Sequence, residues 1–156
     1  MSEFEFSRSI KIDAPPAAVY AHLVDFEEWR RWSPWEGLDD ALLRTYSDPS
    51  AGVGARYAWS GNRKAGEGSM VITRAVAAAE LMIDLEFLKP FKAKNELRFV
   101  LTPTGDGTTV DWIMSGTLDS LASKVFAKLM PTEKLVGKDF TKGLEQLKAI
   151  SEAPAT

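Results

Sequence analysis

The side chains best equipped for chemistry are few, and their spacing does not bring them together. His22 is the single histidine and there is no cysteine. This excludes multi-histidine metal sites, zinc–thiolate sites, disulfides and thiol catalysis. His22 adjoins Leu23 on a short predicted helix and reads as a helix-edge residue. Asp39 and Asp40 are neighbours in a predicted loop, which suits a solvated turn better than a metal site. Asp84 and Glu86 share the polar face of one predicted strand, and Lys92, Lys94, Glu96 and Arg98 share that of the next. Cross-strand ion pairs account for them without a paired-carboxylate acid–base site. Gly61 to Gly68 surrounds Asn62-Arg63-Lys64 with glycines but lacks the Gly-Lys-Ser/Thr ending of a phosphate loop, so it reads as a basic-tipped turn. No catalytic constellation, metal or cofactor is expected. What remains is a set of polar groups on otherwise apolar faces: Tyr57, Arg8 and Asn95. Tyr57 beside Trp59 would give an apolar ligand its walls and one orienting hydroxyl, the usual mixture in a small-molecule site.

The elements that must position these groups follow from periodicity. Phe4, Phe6, Ile10 and Ile12 alternate with polar residues as in a half-buried strand, with Arg8 breaking the apolar side. Pro15-Pro16 ends that strand and opens a short helix carrying Val19 and Leu23. Asp25 and Glu28 have the spacing of a capping pair for a second short helix ending near Arg31. Trp32-Ser33-Pro34-Trp35 stops it, because the residue before proline is pushed out of the α region. Six strands then follow between Leu42 and Thr117, the first over Leu42 to Ser47. Their apolar faces carry Ala55, Tyr57 and Trp59; Leu81, Ile83, Leu85 and Phe87; Leu97, Phe99 and Leu101; and Val110, Trp112 and Met114. Thr104-Gly105-Asp106-Gly107-Thr108 predicts a hairpin whose face-matching register needs a loop of two or four residues, either Asp106-Gly107 or Thr104 to Gly107. Asp119 is a suitable N-cap for a helix with Leu121, Val125, Phe126 and Leu129, which Pro131 interrupts. A last helical stretch places Val136, Phe140, Gly143, Leu147 and Ile150 on one face.

An antiparallel sheet with one apolar face must cover it, and the only long cover is the C-terminal helix. The inward residues are bulky. Glycine inside a helix costs about 1 kcal/mol against alanine. Gly143 on the apolar stripe therefore means a backbone that must leave room, for a cavity or for close packing. A solid core remains the alternative to a ligand cavity. With 156 residues, 45% of them hydrophobic and 26% charged, the chain fits one soluble domain over 1–156. The net charge of −3 supplies no basic field for nucleic acid or anionic lipid. No apolar run reaches the roughly 20 residues of a membrane span. Met1 to Ser9 lacks the layout of a signal peptide, so a cytoplasmic location is expected.

The order of elements, Ile12-Asp13-Ala14-Pro15, Trp32-Ser33-Pro34-Trp35, Gly105-Asp106-Gly107-Thr108 before Val110-Asp111-Trp112, and Gly137-Lys138-Asp139-Phe140 with Gly143-Leu144 resemble bacterial polyketide cyclase/dehydrase-like proteins of the START-like (SRPBCC) superfamily. The resemblance covers roughly Phe4 to Ser151 and its motifs are structural rather than catalytic. It implies an α+β helix-grip fold: a curved seven-stranded antiparallel sheet wrapped around a long C-terminal helix, with two short helices after the first strand. It also implies an internal cavity for a small hydrophobic molecule, such as a lipid, isoprenoid or polyketide-like compound. The candidate lining is Trp35, Tyr57, Trp59, Met70, Ile72, Leu85, Phe87, Phe99, Trp112, Met114, Phe126, Met130 and Phe140. Alternatives are a cyclase or dehydratase using Tyr57 or Arg8, and a partner-binding regulator with a vestigial cavity. A homodimer is left open.

Overall fold

A computed structural model describes residues 3–34, 41–62, 66–89, 93–117 and 132–153. Strand β1 (Glu3–Ile12) leads into helix α1 (Pro16–Ala21) and a 3-10 helix, η1 (Phe26–Arg31). Six strands follow: β2 (Leu43–Tyr46), β3 (Arg56–Ser60), β4 (Glu67–Val76), β5 (Glu80–Lys89), β6 (Ala93–Thr104) and β7 (Gly107–Thr117). Helix α2 (Thr132–Glu152) ends the described chain. The strands form one antiparallel sheet in the order β1-β7-β6-β5-β4-β3-β2. Breaks in register between β4 and β5, at Glu67/Gly68 and Ile72/Arg74, bend the sheet as bulges do. The predicted strand faces hold: Leu81, Ile83, Leu97, Phe99, Val110 and Trp112 have no exposed surface. Strand β2 is shorter than expected, losing Leu42 and Ser47. The predicted helix from Asp119 and its interruption at Pro131 lie outside the described residues.

The β6–β7 hairpin pairs Pro103 with Thr108, the register of the four-residue loop option, and closes one pair further at Thr104 and Gly107. The loop is therefore Gly105-Asp106. Gly105 has φ +59, the first-position glycine that a II′-type hairpin turn uses.

The short motifs act as fasteners. Ile12 pairs with Thr108, whose fully buried hydroxyl donates to the Ala14 carbonyl at 2.8 Å. A Cβ on Gly107 would sit 2.5 Å from the Ile12 carbonyl oxygen, so only glycine lets these segments meet. Motifs 94 residues apart in sequence thus make one joint. In the middle of β1, Arg8 lies opposite Trp112, but its Nη1 donates to the Ser7 carbonyl at 2.8 Å. Its guanidinium returns to its own strand at the sheet edge, rather than reaching the interior as its place in the pattern suggested.

Helix α1 and η1 are anchored by buried indoles. Trp29 Nε1 donates to the Leu23 carbonyl at 2.9 Å and Trp32 Nε1 to the His22 carbonyl at 2.8 Å, satisfying backbone acceptors at and just past the C-cap of α1. Asp25 caps η1 by accepting from the Glu27 N–H at 3.0 Å. Glu28 does not complete the predicted capping box. Its carboxylate accepts instead from Arg31 at 3.0 Å and lies 2.9 Å from His22 Nδ1. Tyr20 bonds the Glu80 carbonyl at 3.1 Å, and burial raises its phenol pKa above the usual value.

Helix α2 lays Phe140, Leu144 and Leu147 on the sheet, all without meaningful exposure. Its last turn is tied to the end of β1, since Glu152 accepts from the Asp13 N–H at 2.7 Å and pairs with Lys148. These contacts hold the Glu152 carboxyl below the usual glutamate range. Gly143 serves close packing: a Cβ there would meet Pro34 Cδ at 2.8 Å and Trp112 Cζ3 at 3.0 Å. Its room is filled by Pro34 and Trp112, so Gly143 gives no support to a cavity.

Candidate functional site

The concave face of the sheet can be read as rows of cross-strand neighbours. One row runs Tyr46, Tyr57, Met70, Leu85, Asn95, Gly116. On one side lies Arg44, Trp59, Gly68, Phe87. On the other lies Ile72, Ile83, Leu97, Met114, and beyond it Ala75, Leu81, Phe99, Trp112, Arg8. The rows differ sharply in how they are covered.

The row through Phe99 and Trp112 is sealed. Phe99 stacks on Trp112 at 5.0 Å, and Trp112 lies parallel to Phe140 of α2 at 3.9 Å. Trp32 meets both Phe99 and Trp112 edge-on, at 6.1 and 5.5 Å, and Trp29 packs on Trp32 at 4.6 Å. Phe99, Trp112 and Phe140 are each 0% exposed. A side chain with no accessible surface borders neither solvent nor a void large enough for one water. This end is solid core, packed to the density of protein interiors.

The opposite end carries a second aromatic series. Tyr46 stacks on Tyr57 at 5.1 Å, Tyr57 on Trp59 at 5.9 Å, and Trp59 meets Phe87 edge-on at 6.0 Å. Trp59 and Phe87 are only half-buried, and Tyr57 retains 8% of its surface. Gly68 explains why the Trp59 indole lies so low. A Cβ at position 68 would fall 2.6 Å from Trp59 Cη2 and 2.5 Å from the Glu86 carbonyl oxygen. The missing side chain is the seat for the ring. Phe26 joins the two aromatic groups, with its ring 6.1 Å from Tyr57 and 5.8 Å from Trp29.

The expected lining therefore separates into parts. Tyr57, Trp59 and Phe87 stand together at the open end, with Met70 and Leu85 beside them and Met114 (5% exposed) one row over. Ile72, Phe99, Trp112 and Phe140 lie in the packed interior. Trp35, Phe126 and Met130 lie outside the described residues, as do Asp39, Asp40, Arg63 and Lys64. Sequence reasoning missed Trp29, Trp32, Tyr46 and Gly68. Tyr46 alternates with Arg44 on β2 and could have been found by that spacing. The others depend on tertiary contacts that no local pattern encodes.

The described concave rows contain no carboxylate and no imidazole. Among the described residues there is no group of three or more His, Asp or Glu that could hold a metal ion. A polar hollow of about 410 Å³ lies between Lys11, Asp13 and the β6–β7 turn, away from the aromatic rows. No described helix is long and apolar enough to cross a membrane.

A curved seven-stranded antiparallel sheet gripping one long C-terminal helix, with two short helices after the first strand, is the helix-grip architecture. The family model described as "Polyketide cyclase / dehydrase and lipid transport" matches residues 3–152, and the chain belongs to that family, within the START-like (SRPBCC) superfamily. Among solved structures, protein CV1439 from Chromobacterium violaceum is 16% identical with a TM-score of 0.69, over 96% of this chain and 98% of that one. The KanY protein is 18% identical with a TM-score of 0.70, over 98% and 100%. Ara h 8.0201 is 13% identical with a TM-score of 0.63, over 96% and 98%. These likenesses concern the fold alone. A search of curated proteins gives no match.

Proposed function

We propose that the protein binds a small hydrophobic molecule, such as a lipid, isoprenoid or polyketide-like compound, between the open end of the sheet and the C-terminal helix. The observation that carries this reading is the pair of half-buried rings Trp59 and Phe87, with Trp59 stacked against the buried Tyr57, seated on Gly68 and bordered by Met70 and Leu85. Large apolar rings left partly uncovered on a concave surface gain by burial, at about 25 cal/mol per Å² removed from water. The sealed aromatic end supplies a rigid floor against which a ligand can be held without reorganising the core. The proposed lining is Tyr57, Trp59, Met70, Leu85, Phe87 and Met114, with Trp35, Phe126 and Met130 added on the sequence argument alone. The family description, which names lipid transport, agrees with it. An enzymatic reading would have to rest on the Tyr57 hydroxyl, because the described rows offer no acid–base pair. The proposal treats 1–156 as one domain acting in the cytoplasm with a small molecule, not nucleic acid, as partner.

Native mass spectrometry tests the reading. Protein purified without detergent is expected to carry one small apolar molecule, or after solvent stripping and refolding to take up one equivalent of fluorene. Bare protein in both experiments, with no quenching of tryptophan emission by fluorene, would sink the proposal.

A further inference from the structure

Asn95 stands in the middle of the concave face. Its strand alternation places it with Leu97 and Phe99, both fully buried, so its side chain shares their inward side. Across the ladder it faces Leu85 on β5 and Gly116 on β7. The adjacent rows add Leu97 and Met114 on one side and Phe87 on the other. An amide with two donors and two acceptor sites is thus set among apolar neighbours, half-buried, with Gly116 leaving one flank free of any side chain. Among the described residues its side-chain amide has no hydrogen-bond partner. A strand residue with no structural bond to make would serve the fold better as leucine or valine.

Resting on the binding reading above, we propose that Asn95 is a specificity-determining residue that selects ligands carrying a neutral hydrogen-bonding group, a carbonyl or hydroxyl, on an otherwise apolar body. The amide both donates and accepts, so it matches either group. An anionic headgroup is disfavoured there, because none of the described neighbours of Asn95 on the concave face is cationic. Arg44 is four strands away, on the order of 19 Å at the usual strand spacing. Arg8 is closer, two strands away on the edge strand β1, but its guanidinium donates to its own backbone. The aromatic series would bury the body of the ligand while Asn95 fixes its orientation, the division of labour typical of small-molecule sites.

Three probes of one shape test this by calorimetry: fluorene, 9-fluorenone and fluorene-9-carboxylate. The protein is expected to bind fluorenone about tenfold more tightly than fluorene, the scale of one hydrogen bond that would otherwise be lost, and the carboxylate least. Asn95→Leu should erase or reverse the fluorenone preference, read as the ratio of the fluorenone and fluorene affinities. Asn95→Asp, nearly isosteric but lacking the donor, should also erase it, which guards against misfolding of the leucine variant. Equal binding of fluorene and fluorenone by the unaltered protein overturns the proposal, and so does a preference that survives both substitutions. Tightest binding of the carboxylate overturns it as well. Failure of all three probes to bind brings down the binding reading itself, and this inference with it.

Discussion

Phe140→Ala is expected to destabilise the protein by about 3–5 kcal/mol, the range for removing a large aromatic from a packed core. Phe140 is the residue through which α2 meets the sealed end, its ring parallel to Trp112 at 3.9 Å and wholly buried. Trp112 in turn stacks on Phe99 and abuts Trp32. Deleting the ring opens a void with fully buried indole and phenyl groups around it, and neighbours held by two anchored indoles cannot easily collapse into it. At about 2–4 °C per kcal/mol for a chain of this size, the melting temperature should fall by about 6–20 °C. Urea denaturation should show a lower midpoint with an unchanged slope, the mark of lost stability without a changed unfolded state. A loss under about 1 kcal/mol would mean that the sealed end is not the solid core described here.

Gly68→Ala should affect the open end instead. The new methyl would fall 2.5 Å from a backbone carbonyl and 2.6 Å from the Trp59 indole. The carbonyl belongs to a paired strand and cannot give cheaply, so the indole must lift and β4 must shift. Overpacking of this kind costs about 1–3 kcal/mol. Beyond that cost, fluorene affinity should fall by about tenfold or more as the Trp59 wall moves, with a matching change in tryptophan emission. Trp59→Ala provides the control: it removes the indole clash and leaves the carbonyl clash, so adding Gly68→Ala to it should cost stability but reduce affinity far less than it does beside an intact Trp59. Independent effects of the two substitutions would show that Gly68 does not act through Trp59.

Much of this fold could be read from residue order because its signals are local. Alternation placed Leu81, Ile83, Leu97 and Trp112 inward, and the glycines of the β6–β7 turn constrained its register before the strands were seen. Where local signal was lacking, position was legible but conformation was not. The β4–β5 turn runs through Ala77, Ala78 and Ala79, with Ala78 at φ 60, a conformation a non-glycine residue seldom adopts. Nothing in an alanine run announces it. Asp25 and Glu28 had the spacing of a capping box, but a tighter 3-10 turn and the nearby His22 claimed the glutamate. Gly143 was ambiguous between cavity and contact until Pro34 was found against it, from more than 100 positions earlier in the chain.

The division of the concave face was the least legible feature. Period-2 patterning tells which residues point inward, but not which rows the helix and the Trp29–Trp32 segment will cover. Phe99 and Phe87 look alike in sequence, both aromatic on an inward face. One is sealed under Trp29, Trp32 and Trp112, and the other is half-buried at the edge of Trp59. That difference arises from contacts between elements distant in the chain, and it locates the proposed site.

The central claim is that a hydrophobic ligand occupies the Tyr57–Trp59–Phe87 end and leaves the Phe99–Trp112–Phe140 end intact. A methyl and aromatic NMR titration with fluorene tests it most directly. The account predicts large shifts at Trp59, Phe87, Met70, Leu85 and Met114, with Phe140, Leu144 and Leu147 nearly unchanged. Shifts centred on Trp112 and Phe140, or saturation with no shift at Trp59, would contradict it.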